Sequence, residues 1–174
     1  MAVFGFAEIL FSEKARQNVS LPLREDTMRK DVVLVTNNPC FQQSIGSSRL
    51  LFLHGTPLDV LTAARDAIHL GSELLTHPLY GNLRPDQQPF RSILLRNLAL
   101  NEKNRKNSSA AFYLESVSMI EEAVLLYRSY GNRLLAPGCL PCSVRRDYAS
   151  VDSELIRESL TQYGLLSKEH DTKL

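Results

Sequence analysis

The sequence predicts a single α/β domain with a mainly parallel, open sheet of about four to five strands flanked by helices. Three observations carry this expectation. The chain has 174 residues, 44% of them hydrophobic and 22% charged, which is enough to bury one core and ordinary for a globular protein. Short apolar runs recur without polar alternation, as in strands covered on both faces of a sheet. Segments with helical periodicity and legible caps separate these runs, and such alternation is the mark of an α/β domain.

Residues 1–30 read as an N-terminal extension. Phe4, Ala7, Leu10 and Phe11 fall at helical spacing among Glu8, Glu13, Lys14 and Arg16, so a short amphipathic helix is expected there. Pro22 stops it from continuing. The α/β domain spans 31–166, and 167–174 is a polar tail. The first strand is Val32-Val33-Leu34-Val35, ended by Thr36-Asn37-Asn38-Pro39. Residues 39–45 have room for a short crossover helix. The second strand is Leu50-Leu51-Phe52-Leu53, ended by His54-Gly55.

The best-defined helix covers 57–70. Thr56 can cap it, Pro57 takes its first position, and Asp59 stands three residues after the cap. Gly71 supplies the left-handed residue that commonly follows a helix. Leu58, Leu61, Ala64, Arg65 and Ile68 form one largely apolar face. Glu73-Leu74-Leu75-Thr76 is a third strand and Ser92-Ile93-Leu94-Leu95 a fourth, separated by a Pro- and Gly-rich loop at 77–90. Loops of that length are often functional. After a polar loop at 101–109, a fifth strand is expected at 110–115. Ser118-Met119-Ile120-Glu121 reads as a capping box opening a helix that ends near Gly131. Asp152 is expected to cap a last helix carrying Leu155, Ile156, Leu160 and Tyr163, ended by Gly164.

Composition excludes several functions. The formal net charge is +1, so no overall field favours nucleic acid or an anionic membrane. No apolar run approaches the roughly 20 residues that cross a bilayer. The apolar start has no basic segment before it and is broken by Glu8, unlike a signal peptide. A cytoplasmic chain is expected. Its three cysteines, Cys40, Cys139 and Cys142, are an odd number and argue against a secreted disulfide framework. There is no GxGxxG, P-loop, GxSxG or HExxH motif.

Ligands of open α/β sheets bind beyond the carboxyl ends of the strands. If the first three strands are parallel and adjacent, their loops converge there. The converging residues are Thr36, Asn37 and Asn38, then His54, Gly55 and Thr56, then Thr76, His77 and Gly81. The amino end of the helix at Pro57 favours an anion, although Asp59 opposes one. Arg84 and Arg91 are secondary candidates for a compensating charge. Ordinary turn and cap chemistry accounts for the same residues equally well. Asp66 and His69, a turn apart, can hydrogen-bond and form a secondary candidate for acid/base work; the alternative is a solvated helix face. The histidines lack metal-ligand spacing, so no metal and no cofactor is expected. Cys139-Leu140-Pro141-Cys142 is a CxxC, read as a loop without the following helix that activates such a pair in thioredoxin-like proteins.

A set of residues in order resembles the GrdX-like family. It comprises Val35-Thr36-Asn37-Asn38-Pro39, Leu58-Asp59-Val60-Leu61, Arg65-Asp66, Ile68-His69, Gly71 and Leu74-Leu75-Thr76-His77-Pro78-Leu79. Gly81, Pro85, Pro89 and Arg91-Ser92-Ile93 continue it, with weaker matches near 114–121 and 152–156. The N-terminal extension and the CxxC lie outside this pattern. The family consists of small proteins encoded beside glycine, sarcosine and betaine reductase components in anaerobic bacteria. The resemblance implies an accessory or regulatory role in reductive amino-acid metabolism, with reductase components as partners, but no reaction. Two other readings stay open. One is an enzyme acting on a small carboxylated or phosphorylated metabolite, with His77 or His69 as acid/base. The other is a structural partner without a pocket, docking through the Phe4–Phe11 segment.

Overall fold

Seven regular elements carry the fold of this computed structural model, which describes residues 31–81, 83–97 and 110–166. They are β1 (Val32–Thr36), β2 (Leu50–Phe52), α1 (Pro57–His69), β3 (Ser72–Leu74), β4 (Ser92–Asn97), α2 (Ala110–Tyr130) and α3 (Cys142–Gln162). The expected N-terminal helix, the 101–109 loop and the tail lie outside the described residues.

The sheet has the order β2-β1-β4-β3. β1 and β2 pair in parallel, whereas β4 runs antiparallel to both β1 and β3. The sheet is therefore mixed, and the expectation of a mainly parallel sheet is corrected. The apolar run on which that expectation rested is nonetheless buried. Ile93 and Leu95 face a core with Val35, Val60, Leu61, Ala64 and Ile68 of β1 and α1 and Ile120, Val124 and Tyr127 of α2. Val32, Leu34 and Leu94 face the other way, against Phe41, Ile45, Ile156 and Leu160. Helices on both faces require strands apolar on both faces, and that requirement is the same for either strand direction.

α1 forms as expected. Thr56 Oγ1 accepts from Asp59 N at 3.4 Å while Asp59 Oδ2 accepts from Thr56 N at 2.7 Å, a complete capping box. Three other expectations are corrected. Residues 39–45 contain only the single turn Pro39–Phe41. The fifth strand at 110–115 is instead the start of α2. No Gly or Pro interrupts the chain before Gly131, and Ser116, Ile120, Ala123, Val124 and Tyr127 make one buried helical face through it. Ser118 thus sits inside the helix, where its hydroxyl donates to Glu122 at 3.2 Å. Nor does Asp152 cap the last helix. α3 begins ten residues earlier, at Cys142, and Ala149, Asp152, Ile156 and Leu160 form its buried stripe.

Leu94 is fully buried between the sheet and α3. Leu94→Ala is expected to cost about 2–5 kcal/mol, read as a lower urea midpoint with an unchanged slope.

Candidate functional site

The carboxyl ends of β1, β2 and β3 share one rim, and the antiparallel β4 brings its amino end to the same place. Directly beneath the rim is a buried polar network. Asp152 is 2% exposed, and its carboxylate accepts from Asn38 Nδ2 at 2.9 Å, from Ser92 Oγ at 2.8 Å and from the Tyr80 hydroxyl. The same Tyr80 oxygen accepts from Ser92 N at 2.9 Å. Thr36 Oγ1 lies 2.7 Å from Ser92 Oγ and accepts from Asn38 N at 2.9 Å.

Arg91 supplies the opposite charge at 1% exposure. Its guanidinium lies 4.7 Å from the Tyr80 ring centroid and 5.5 Å from that of Tyr127. It donates to Tyr80 O at 3.0 Å, to Gln88 Oε1 and to the Tyr127 hydroxyl. Among the described residues no carboxylate lies within 4.0 Å of it. Tyr80 bridges the two charges, its ring on Arg91 and its hydroxyl on Asp152. Burial pushes the Tyr80 hydroxyl well above its ordinary pKa, with the Asp152 charge adding to the effect and Arg91 opposing it. Burial raises Tyr127 as well, again against Arg91.

The residues expected at the site do not form one group. Thr36, Asn38 and Arg91 belong to the buried network. Asn37 is a clamp above it: Nδ2 donates to Gly55 O and Pro89 O, both at 3.0 Å, and Oδ1 accepts from Arg91 N at 2.8 Å. Asn37 also lines a cavity of about 530 Å³ together with His54, Gly55 and Thr56. Phe52, Phe90, the Ala136–Pro137–Gly138 stretch and Arg145 are also part of its wall.

Thr76 and His77 line a separate cavity of about 210 Å³ between β3 and α2, with Glu73 and Glu115. Thr76 Oγ1 accepts from Leu94 N at 3.1 Å, and His77 Nδ1 from Leu79 N at 3.1 Å, so both already serve the backbone. Gly81 adopts φ 90°, and a Cβ there would come within 2.7 Å of Leu155. Close packing on α3 accounts for that glycine.

The secondary candidates other than Arg91 sit apart. Asp66 pairs with Arg65 at 2.7 Å and His69 with Glu121 at 2.9 Å, so the expected Asp66–His69 bond is replaced by two others. Arg84 pairs with Asp86 on the surface. At the amino end of α1, the Asp59 carboxylate already takes the Thr56 N–H and the Thr56 hydroxyl. Gly55 makes room for it, since a Cβ there would meet Asp59 Oδ2 at 2.5 Å.

Arg145 escaped the sequence reading because no helix was expected around it. Within the structure it lies one turn into α3 and donates Nη2 to Cys142 Sγ at 3.4 Å, and it has no described carboxylate within 4.0 Å. Asp152 is expected from the sequence as the cap of the last helix, so its place as a buried acid on that helix's apolar stripe was missed. No group of three or more His, Cys, Asp or Glu among the described residues is placed to hold a metal ion, and no described helix is long and apolar enough to cross a membrane.

A tyrosine whose folded pKa is raised contributes stability that is fully present below its ordinary value of 10.0 and lost as pH rises through the folded value. The unfolding midpoint should therefore fall above about pH 10, less steeply in Tyr80→Phe. At neutral pH that variant strands an Asp152 oxygen and Ser92 N, at a cost of about 1–3 kcal/mol. Urea titrations at several pH values read both effects.

The family described as GrdX-like protein matches residues 33–161 of the chain. No curated protein and no solved structure matches it. With that match spanning the sheet, α1, α2 and nearly all of α3, the chain belongs to the GrdX-like protein family.

Proposed function

We propose that this protein is a cytoplasmic accessory or regulatory component of glycine, sarcosine or betaine reductase metabolism that binds a small anion, or the carboxylate terminus of a partner, in the cavity over β1 and β2. The metabolic link rests on the family. The binding reading rests on one observation: Arg145, with no described carboxylate partner within 4.0 Å, lines the same cavity as His54 and Thr56. A guanidinium there matches a carboxylate or phosphate in geometry and charge. Asn37 shapes the cavity floor without a spare N–H, because both of its side-chain hydrogens are engaged.

Less supports an enzyme using His77 or His69. His77 has one ring nitrogen committed to Leu79 N, and His69 is held by Glu121 on the outside of α1 and α2. The cavity beside His77 is the smaller of the two.

Thermal unfolding in the presence of acetate, phosphate, acetyl phosphate, glycine, sarcosine or betaine tests the binding reading. A ligand at a hundred times its Kd adds about 2.7 kcal/mol, which at roughly 2–4 °C per kcal/mol raises Tm by several degrees. The expected shift disappears in Arg145→Ala and survives in His77→Ala. A shift that survives in Arg145→Ala moves the ligand out of this cavity.

A further inference from the structure

The CxxC segment is outside both the core and the buried network, yet its surroundings are specific. Cys139 and Cys142 are both exposed free thiols. The motif is expected in a loop with no helix after it; instead Cys142 is the first residue of the 21-residue α3. Pro141 precedes it and makes no side-chain cap, so the first turn's N–H groups are not claimed by a capping side chain. Arg145, one turn on, donates to Cys142 Sγ at 3.4 Å. Cys139 instead closes the single turn Pro137–Cys139. Only Cys142 combines a helix start with a guanidinium, surroundings typical of attacking thiols.

We propose that Cys139 and Cys142 are a reversible dithiol–disulfide pair that exchanges with small disulfides, with Cys142 attacking first, and that closure of the pair reshapes one wall of the rim cavity. In the first step the Cys142 thiolate attacks one sulfur of the small disulfide, forming a mixed disulfide and releasing one thiolate. Cys139, after losing its proton, then attacks Cys142 Sγ and releases the second thiolate. The protein loses two electrons and two protons, and the small disulfide becomes two thiols.

Closure must move the backbone. Leu140 has φ −96° and ψ 145°, and Pro141 φ −55° and ψ 147°, so both are extended. Three extended residue steps span up to about 10 Å, whereas a disulfide holds its Cα atoms about 5.5–6 Å apart. The turn has space to follow, since a Cβ on Gly138 would meet nothing within 4 Å. Pro137, Gly138 and Arg145 form the cavity wall, so bending at 140–141 displaces residues on both sides of it. That consequence acts on the site of the binding reading and takes its functional meaning from it; the thiol chemistry stands independently.

The full chain, first reduced, is incubated with oxidised glutathione, quenched with acid and digested with trypsin. Both thiols fall in the peptide 134–145, and Cys40, also exposed, is the internal reference. The expected product is this peptide lighter by two hydrogens, formed at least about tenfold faster than the glutathione adduct on Cys40 and reversed by dithiothreitol. Cys139→Ser stops at an adduct on Cys142, and Cys142→Ser reacts at Cys139 no faster than at Cys40. Two adducts on one peptide, or reaction at the Cys40 rate, overturns the dithiol pair. Hydrogen exchange across 134–148 should differ between the reduced and closed forms. Closure with unchanged exchange overturns the movement of the wall. Neither readout depends on an anion binding, so failure of the binding reading leaves the thiol result intact and distinguishable.

Discussion

Asp152 brings a carboxylate into the apolar stripe of α3, and a buried carboxylate persists only where its oxygens are met by donors. Asn38, Ser92 and Tyr80 provide them from the end of β1, the start of β4 and the loop after β3. One side chain thus fixes how α3 lies across the sheet. Arg91, at least as deeply buried, balances the charge through Tyr80 rather than by contact. Breaking such an arrangement by removing one partner costs far more than the intact network contributes, on the order of 3–5 kcal/mol for a buried pair. Specifying a unique docking of α3 is the role this network is suited to.

The strand order follows from the same constraint. Were β4 parallel to β1, its amino end would lie at the opposite edge of the sheet, far from Asn38 and Asp152. Running antiparallel, it delivers Arg91 and Ser92 to the rim, where Asn37 receives Arg91 N and Thr36 meets Ser92. The rim is consequently rigid below and open above. Thr36, Asn37 and Asn38 hold its floor, while His54 and Arg145 stand at the cavity.

What could be read from the sequence was whatever is encoded locally. Thr56, Pro57, Asp59 and Gly71 delimit α1 by short-range hydrogen bonds and backbone preference, and these act almost regardless of context. The buried strands were equally visible, but their directions were not, because an apolar run records burial on two faces and nothing about polarity. The run at 110–115 is ambiguous for a related reason, since a short apolar stretch fits either period. Asp152 next to Ser153 resembles a helix start until the chain before it is known to be helical. Of the candidate residues, Asn37, His54, Gly55 and Thr56 line one cavity because they follow adjacent parallel strands. Thr76 and His77 fell elsewhere because β4 intervenes between β1 and β3.

Arg145 is where the two readings of the rim meet. Its guanidinium carries five N–H donors, and the contact with Cys142 Sγ uses one nitrogen, Nη2. Donors remain for a carboxylate or phosphate, so thiol and anion need not compete while the pair is reduced. Closure turns Cys142 Sγ into one end of a disulfide and moves it with the bending turn, so the contact that holds the guanidinium toward the start of α3 changes with it. In the proposed site the cation would then be re-aimed as the wall at Pro137 and Gly138 shifts. An anion bound there and the oxidation state of the two cysteines would be coupled through a single side chain. By linkage, whatever affinity change closure imposes on the anion, the anion imposes in equal measure on the reduction potential of the pair.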